Sequence, residues 1–94
     1  MLLANSLHYV ADAKSFLAEL IAMMQPKAQF IIIEYDTTAA NPWVPYPIPQ
    51  RRLTQMFDAK QFAISNIGYR PSIYNSGGMY ALYIVEYRIK NKLP

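Results

Sequence analysis

The sequence has no cysteine, a single histidine and only three glycines among 94 residues. Without cysteine the chain forms neither disulfide bonds nor thiolate metal sites, and the absence fits a cytoplasmic location. No apolar run reaches the roughly 18 residues that a membrane-spanning helix needs. The apolar start Met1–Ala4 is shorter than a signal peptide and carries no basic residue. We therefore predict a cytoplasmic protein with no membrane partner.

Charged residues are also scarce, at 16% of the chain, whereas 53% of the residues are apolar. This composition excludes an intrinsically disordered chain and is typical of a buried segment of something larger. The formal net charge is +3, but the basic residues are scattered and only Arg88–Lys92 is locally dense. Since nucleic-acid binding needs basic residues clustered on one face, we expect no nucleic-acid partner.

The first half of the chain alternates between strand and helix patterns. Met1–Asn5 is predicted as a buried strand, and Asp12 as the N-cap of an amphipathic helix that ends at Pro26. Gln29–Tyr35 is predicted as a second strand. Its unbroken apolar run Phe30–Ile33 needs cover on both faces, which indicates an internal parallel strand.

The second half begins with a loop, Thr37–Pro49, whose four prolines exclude both helix and central strand. Pro49 suits the first turn of a second helix. Phe62–Ile67 is predicted as a strand, Asn75–Gly78 as a turn and Met79–Ile89 as the longest strand. The last two strands are therefore expected to form an antiparallel pair joined by a longish loop.

The predicted order of strand, helix, strand, helix, strand, strand indicates one α/β domain spanning residues 1–94, with a parallel sheet closed by one antiparallel strand. Because such crossovers are right-handed, both helices should cover the same face of the sheet. The other face and the edge of the first strand would stay bare. We therefore expect a homodimer, a companion polypeptide or a missing N-terminal half to cover them.

Five short segments are similar to the sequence of one enzyme family. They are Ala4–Val10 followed by Asp12, Met24–Phe30, Ile32–Asp36, Asn41–Pro47 and Asp58–Phe62. They resemble, in turn, the segment after the fourth strand, the turn before the fifth strand, the end of that strand, a loop of one bacterial branch, and the joint before the sixth strand of class I S-adenosylmethionine-dependent methyltransferases. The resemblance covers essentially the whole chain and implies a partial, Rossmann-like methyltransferase sheet.

The chain departs from that family at its glycines. Lys27 and Ala28 replace the Gly-Gly of the turn before the fifth strand, and the joint Ala59–Phe62 also lacks glycine. The family binds S-adenosylmethionine with a glycine-rich loop after its first strand and an acidic residue after its second, and neither is present here. The resemblance therefore implies a C-terminal half-domain, from strand four onward, without the cofactor-binding N-terminal half. We expect this chain alone neither to bind S-adenosylmethionine nor to transfer methyl groups.

The first candidate site lies just after the first predicted strand. By resemblance, Asn5, Ser6 and His8 line the methionine end of the cofactor pocket in a complete enzyme, where His8 is the candidate catalytic base. The position is reasonable because open α/β sheets bind ligands beyond the carboxyl ends of their strands. The alternative is a loop histidine hydrogen-bonded to the backbone.

Two further groups of residues carry candidate chemistry. Glu34 and Asp36 have the spacing of a carboxylate pair, but the preferred interpretation is that each contacts a helix cap, and with one histidine no metal site is expected. The later loops carry a predicted substrate pocket for a small organic acceptor, and its one arginine would suit an anionic one. Its residues are Trp43, Tyr46, Tyr69, Arg70 and Tyr80, and Tyr74 belongs to the same set of loop aromatics. The alternative is that these rings pack the loops or fill an interface.

Three functions therefore stay open at this point. The leading one is a fragment of a small-molecule methyltransferase that is inactive by itself, or a subunit completed by a separately encoded N-terminal half. The second is a non-catalytic oligomerisation or interaction module. The third is a small-ligand-binding domain that uses the loop of Trp43 and Tyr46 and the loop from Tyr69 to Tyr80.

Overall fold

Four strands and two α-helices make up the part of the chain that the computed structural model describes, which is residues 1–24, 27–72 and 75–87. The elements are β1 (Leu2–Ala4), a 3₁₀ turn (Leu7–Tyr9), α1 (Ala13–Met23), β2 (Gln29–Tyr35), α2 (Gln50–Gln55), β3 (Phe62–Ser72) and β4 (Asn75–Glu86). Their order confirms the prediction of an α/β chain. The predicted helix stop at Pro26 lies outside the described residues.

The four strands form one mixed sheet in the order β1-β2-β4-β3. β1 runs parallel to β2, with Leu3 opposite Ile32. β4 runs antiparallel to both of its neighbours, with Leu82 opposite Ile32 of β2 and Ile84 opposite Ile64 of β3. The last strand is therefore antiparallel, as predicted, and it lies between β2 and β3.

The ends of both helices follow from local sequence. Asp12 caps α1, since its Oδ1 accepts a hydrogen bond from the Ser15 N–H at 3.1 Å and its Oδ2 one from the Ser15 hydroxyl at 2.8 Å. The backbone bond to Ser15, followed by the hydroxyl bond, lowers the pKa of Asp12. Pro49 takes the position directly before α2, where its missing N–H costs no helical bond.

The hairpin of β3 and β4 is longer than predicted. The pairing continues to Ser72 opposite Asn75, so the predicted turn Asn75–Gly78 is wrong and these residues belong to β4. Register shifts in β3 and a positive φ of 77° at Gly78 let the paired strands continue past the glycines. The two glycines therefore lie within a strand and do not end it.

Both helices cover the same face of the sheet, which confirms the expected arrangement. Leu17 of α1 and Leu53 of α2 belong to one buried cluster with the side chains of β2 and β4 that point towards them. Those strand residues alternate along the chain: Phe30 and Ile32 on β2, and Tyr80, Leu82 and Ile84 on β4. Each fully buried aliphatic side chain stabilises the fold by about 1.5–3 kcal/mol.

The opposite face of the sheet has no covering element among the described residues. The exposed fraction is 63% for Leu2 and 38% for Ile31, although both are strand residues with large apolar side chains. β1 lies at the edge of the sheet, next to β2 alone. The apolar face and the open edge expected from the sequence are therefore both found. In the described part of the chain, neither helix has the length and apolarity to span a membrane.

Candidate functional site

A buried histidine–carboxylate pair lies at the carboxyl ends of β1 and β2. Glu34 is near the end of β2 and points to the helix-covered face, as Phe30 and Ile32 do. His8 lies in the 3₁₀ turn that follows β1. His8 Nδ1 is 2.7 Å from Glu34 Oε1, and the exposed fraction is only 2% for His8 and 0% for Glu34. Two groups that are normally hydrated are therefore held together out of water.

The second oxygen of Glu34 binds the same turn. Oε2 accepts hydrogen bonds from the Leu7 N–H at 2.9 Å and the His8 N–H at 3.3 Å. These bonds compensate for the burial of the carboxylate. A carboxylate only accepts, so Nδ1 carries the proton that His8 donates to Glu34. In the neutral ring, Nε2 is then the nitrogen without a proton.

Asn5 lies at the end of β1, beside this pair in sequence. Its backbone N–H extends the β1–β2 pairing by donating to the Ile33 carbonyl at 2.8 Å. Its φ of 54° is in the left-handed region, which asparagine tolerates better than most residues. The Asn5 Oδ1 is buried and finds no hydrogen-bond partner among the described residues. Since buried polar atoms are nearly always paired, this oxygen is a candidate acceptor for a donor outside the described residues, such as a water molecule or a ligand.

The predicted cofactor residues Asn5, Ser6 and His8 are therefore together at the carboxyl end of β1. Ser6 precedes the 3₁₀ turn, and its carbonyl accepts a hydrogen bond from the Tyr9 N–H at 3.3 Å. The predicted alternative for His8, a backbone-bonded ring, differs from the structure because the ring partner is the Glu34 carboxylate. The sequence did not indicate this pairing. His8 follows β1 and Glu34 is near the end of β2, so the two residues lie at the same end of neighbouring parallel strands.

Glu34, in β2, and Asp36, just after it, each contact the start of a helical segment, which confirms the preferred interpretation. Glu34 accepts from the first residues of the 3₁₀ turn. Asp36 Oδ1 accepts from the N–H of Gln50, the first residue of α2, at 2.9 Å. Within residues 1–24, 27–72 and 75–87, no three histidine or acidic side chains are grouped so that they would hold a metal ion.

Tyr80, one of the predicted pocket residues, belongs to the buried core. Its exposed fraction is 1%, and its hydroxyl donates to the Ile48 carbonyl at 2.6 Å. Burial raises the pKa of Tyr80 well above its usual range, and the nearby charges of Glu34 and Asp36 raise it further. This hydroxyl ties the proline-rich loop to β4.

The other predicted pocket residues do not converge on one cavity. Trp43 and Tyr46 have exposed fractions of 75% and 47% and line different cavities. Tyr69 and Arg70 are exposed on β3 and line none of the three main cavities formed by the described residues. The Tyr69 hydroxyl instead donates to the Gly77 carbonyl across the hairpin.

The Trp43 cavity has a volume of about 640 Å³. It lies beyond the carboxyl end of β2 and is lined by Tyr35, Thr37, Ala39, Ala40, Asn41, Trp43 and Val44. The centre of the Tyr35 ring is 5.9 Å from that of His8. Sequence analysis did not single out Tyr35. The signal that would have found it is its place at the end of β2, directly after Glu34.

Comparison of the chain with protein-family models, with curated proteins and with solved structures gave no match.

Proposed function

We propose that residues 1–94 correspond to the C-terminal half of a class I S-adenosylmethionine-dependent methyltransferase domain that acts on a small molecule. The observation that carries the proposal is the buried His8–Glu34 pair beside the unpaired Oδ1 of Asn5. They lie where two parallel strands end, which is the place where open α/β sheets bind their ligands. The motifs around them are also the ones that resemble the family.

Asn5 fits the cofactor role that the resemblance gives it. Its buried Oδ1 needs a hydrogen-bond donor, and the methionine part of S-adenosylmethionine carries an ammonium group. Ser6 and His8 follow directly in the chain and complete this wall of the pocket. When bound, S-adenosylmethionine supplies an electrophilic methyl group.

His8 is the proposed general base for the methyl acceptor. Glu34 pairs with Nδ1, so Nε2 is the ring atom that would take the proton that an acceptor N–H or O–H loses during methylation, once the acceptor is bound against this buried ring. Glu34 does not act on the acceptor; it is a positioning residue that fixes the tautomer and orientation of the imidazole ring.

The proposal also explains why half of the sheet surface lacks cover. A segment bearing the glycine-rich cofactor loop would pair with the open edge of β1 and cover the face of Leu2 and Ile31. Because that loop is missing from this sequence, the chain alone should not bind the cofactor well.

The test compares the chain alone with the chain co-expressed with the polypeptide encoded directly upstream. Titration calorimetry with S-adenosylhomocysteine should give low-micromolar binding to the purified complex and none to the chain alone. The proposal is wrong if the isolated chain binds S-adenosylhomocysteine at low micromolar concentration. It is also wrong if the purified complex does not bind S-adenosylhomocysteine.

The second candidate is a non-catalytic interaction module in the form of a homodimer. The apolar face of the sheet favours it, because the exposed fractions of Leu2 and Ile31 are unusual for strand residues of this type. A second copy would bury the same face on both chains, as two-fold dimers do. The mass of the protein in solution distinguishes this candidate from a monomer.

A further inference from the structure

We infer that the cavity between Tyr35 and Trp43 binds a small, uncharged, planar molecule. The inference rests on the residues that line the cavity and does not depend on methyl transfer. A binding domain with no catalytic role could use the same site. It also differs from the pocket predicted from the sequence, because Tyr46, Tyr69, Arg70 and Tyr80 do not line this cavity.

The size and place of the cavity fit a small ligand. A volume of about 640 Å³ lies within the range of roughly 300–1,000 Å³ that is usual for sites of small organic molecules. The cavity opens beyond the carboxyl end of β2, where its wall begins with Tyr35. Ligands of open α/β sheets bind at that end of the strands.

The turn that carries Trp43 is firmly held although the indole ring is exposed. Asn41 Oδ1 accepts hydrogen bonds from the N–H groups of Trp43 at 2.9 Å and Val44 at 2.8 Å. The backbones of Asn41 and Val44 also bind each other in both directions at 3.1 Å. A large aromatic ring that stays 75% exposed on such a turn is a ready contact surface for a ligand.

The lining sets the chemistry of the ligand. Among the described residues that line the cavity, none is charged, and the polar side chains besides Tyr35 are Thr37 and Asn41. A charged group would lose hydration there without gaining an ionic partner. The two aromatic walls favour a flat ring system, which stacks on Trp43 while a carbonyl or hydroxyl group meets the polar side chains.

The probes are coumarin and coumarin-3-carboxylate, which share one planar ring system and differ in a single negative charge. Trp43 is the only tryptophan, so protein labelled with 5-fluorotryptophan gives one ¹⁹F signal that reports on the cavity. Coumarin should shift this signal in a saturable way, and it should bind at least about tenfold more tightly than the carboxylate. No saturable shift, or equal binding of the two probes, would overturn the inference.

Two variants test the position of the site by ligand-detected NMR. Trp43→Ala should weaken coumarin binding by at least about tenfold. Tyr46→Ala removes the other exposed aromatic of the same loop, which lines a different cavity, and it should leave binding unchanged. Equal effects of the two variants would contradict the assignment. Should Trp43→Ala fail to fold, the ¹⁹F titration of the unsubstituted chain still decides the matter.

The result is separable from the proposed methyltransferase function. Coumarin binding without S-adenosylhomocysteine binding to the co-expressed complex supports the cavity and contradicts the methyltransferase proposal. Binding of S-adenosylhomocysteine to that complex without coumarin binding supports the methyltransferase proposal and contradicts the cavity inference.

Discussion

The Nδ1 atom of His8 lies 2.7 Å from Oε1 of Glu34, and both side chains are buried where β1 and β2 end. Glu34 also accepts two backbone hydrogen bonds from the 3₁₀ turn that carries His8. The carboxylate therefore fixes the position of the turn and the proton on the imidazole ring at the same time. Stability and the proposed chemistry of the site rest on the same side chain.

Glu34→Gln should reverse the tautomer of His8. The amide oxygen of glutamine can keep the two backbone bonds, which leaves its NH₂ group to donate to Nδ1 and moves the ring proton to Nε2. The ¹⁵N chemical shifts of the imidazole nitrogens measure this change. We also expect a loss of about 1–3 kcal/mol in the free energy of unfolding.

Asp36→Asn is the matched control for this substitution. Asp36 lies directly after β2 and, like Glu34, accepts a backbone bond at the start of a helical segment, but its partner is Gln50 rather than the turn of His8. The His8 tautomer should therefore stay as it is in the unsubstituted chain. If both variants leave the ¹⁵N shifts of His8 unchanged, Glu34 does not set the tautomer.

Tyr80→Phe should remove part of the loss of stability at alkaline pH. The folded chain keeps Tyr80 protonated, because burial raises its pKa, whereas the unfolded chain releases this proton above about pH 10. The unfolded state then binds fewer protons than the folded state, so stability falls as pH rises, by up to about 1.4 kcal/mol per pH unit from this residue. Urea unfolding between pH 9 and 11 should show a shallower decline for Tyr80→Phe.

The same variant has a separate effect at neutral pH. Without the tyrosine hydroxyl, the buried Ile48 carbonyl loses its donor, which should cost about 1–2 kcal/mol. The prediction fails if the decline of stability with alkaline pH is equally steep in both proteins.

Features set by neighbouring residues were predictable from the sequence. The N-cap at Asp12, the strand Gln29–Tyr35 and the placement of both helices on one face follow from capping chemistry, apolar runs and crossover handedness. Each of these rules uses local sequence or general topology. The apolar bare face followed from them without further information.

Features set by long-range pairing were not predictable. The sequence around Gly77 and Gly78 is typical of a turn, but pairing with β3 extends β4 through both glycines. The sequence predicts Tyr80 in a pocket, yet its side chain lies with those of Leu82 and Ile84 on the face that the helices bury. The cavity of Tyr35 and Trp43 joins a strand end to a distant turn of the loop, and no sequence pattern reports that distance.

Gly78→Ala should destabilise the hairpin by about 1–3 kcal/mol or more. The backbone at this position has a φ of 77°, and an added Cβ would lie 2.7 Å from the Arg70 carbonyl oxygen and 2.8 Å from the Tyr69 hydroxyl. Both distances are too short for a Cβ atom, so the backbone or the neighbouring groups would have to move. Urea unfolding measures the change in the free energy of unfolding.

Gly68→Ala is the control, on the partner strand of the same hairpin. An added Cβ there would meet only the Ala81 Cβ, at an ordinary contact distance of 3.8 Å. We expect a change within about 1 kcal/mol. Equal destabilisation by the two alanines would show that the positive φ and the close contacts at Gly78 have no special cost.

Ile31→Lys should weaken self-association if a second copy covers the bare sheet face. Ile31 is 38% exposed in the middle of that face, so a dimer would bury the new charge without a partner and should dissociate at least about tenfold more readily. Met23→Lys is the matched control, because Met23 is 77% exposed on α1, which packs on the opposite face.

Light scattering on a sizing column measures the mass of each protein. A dimer that Ile31→Lys disrupts and Met23→Lys preserves assigns the interface to this face, whereas an unsubstituted chain that stays monomeric at high concentration contradicts the homodimer and leaves a companion polypeptide as the cover.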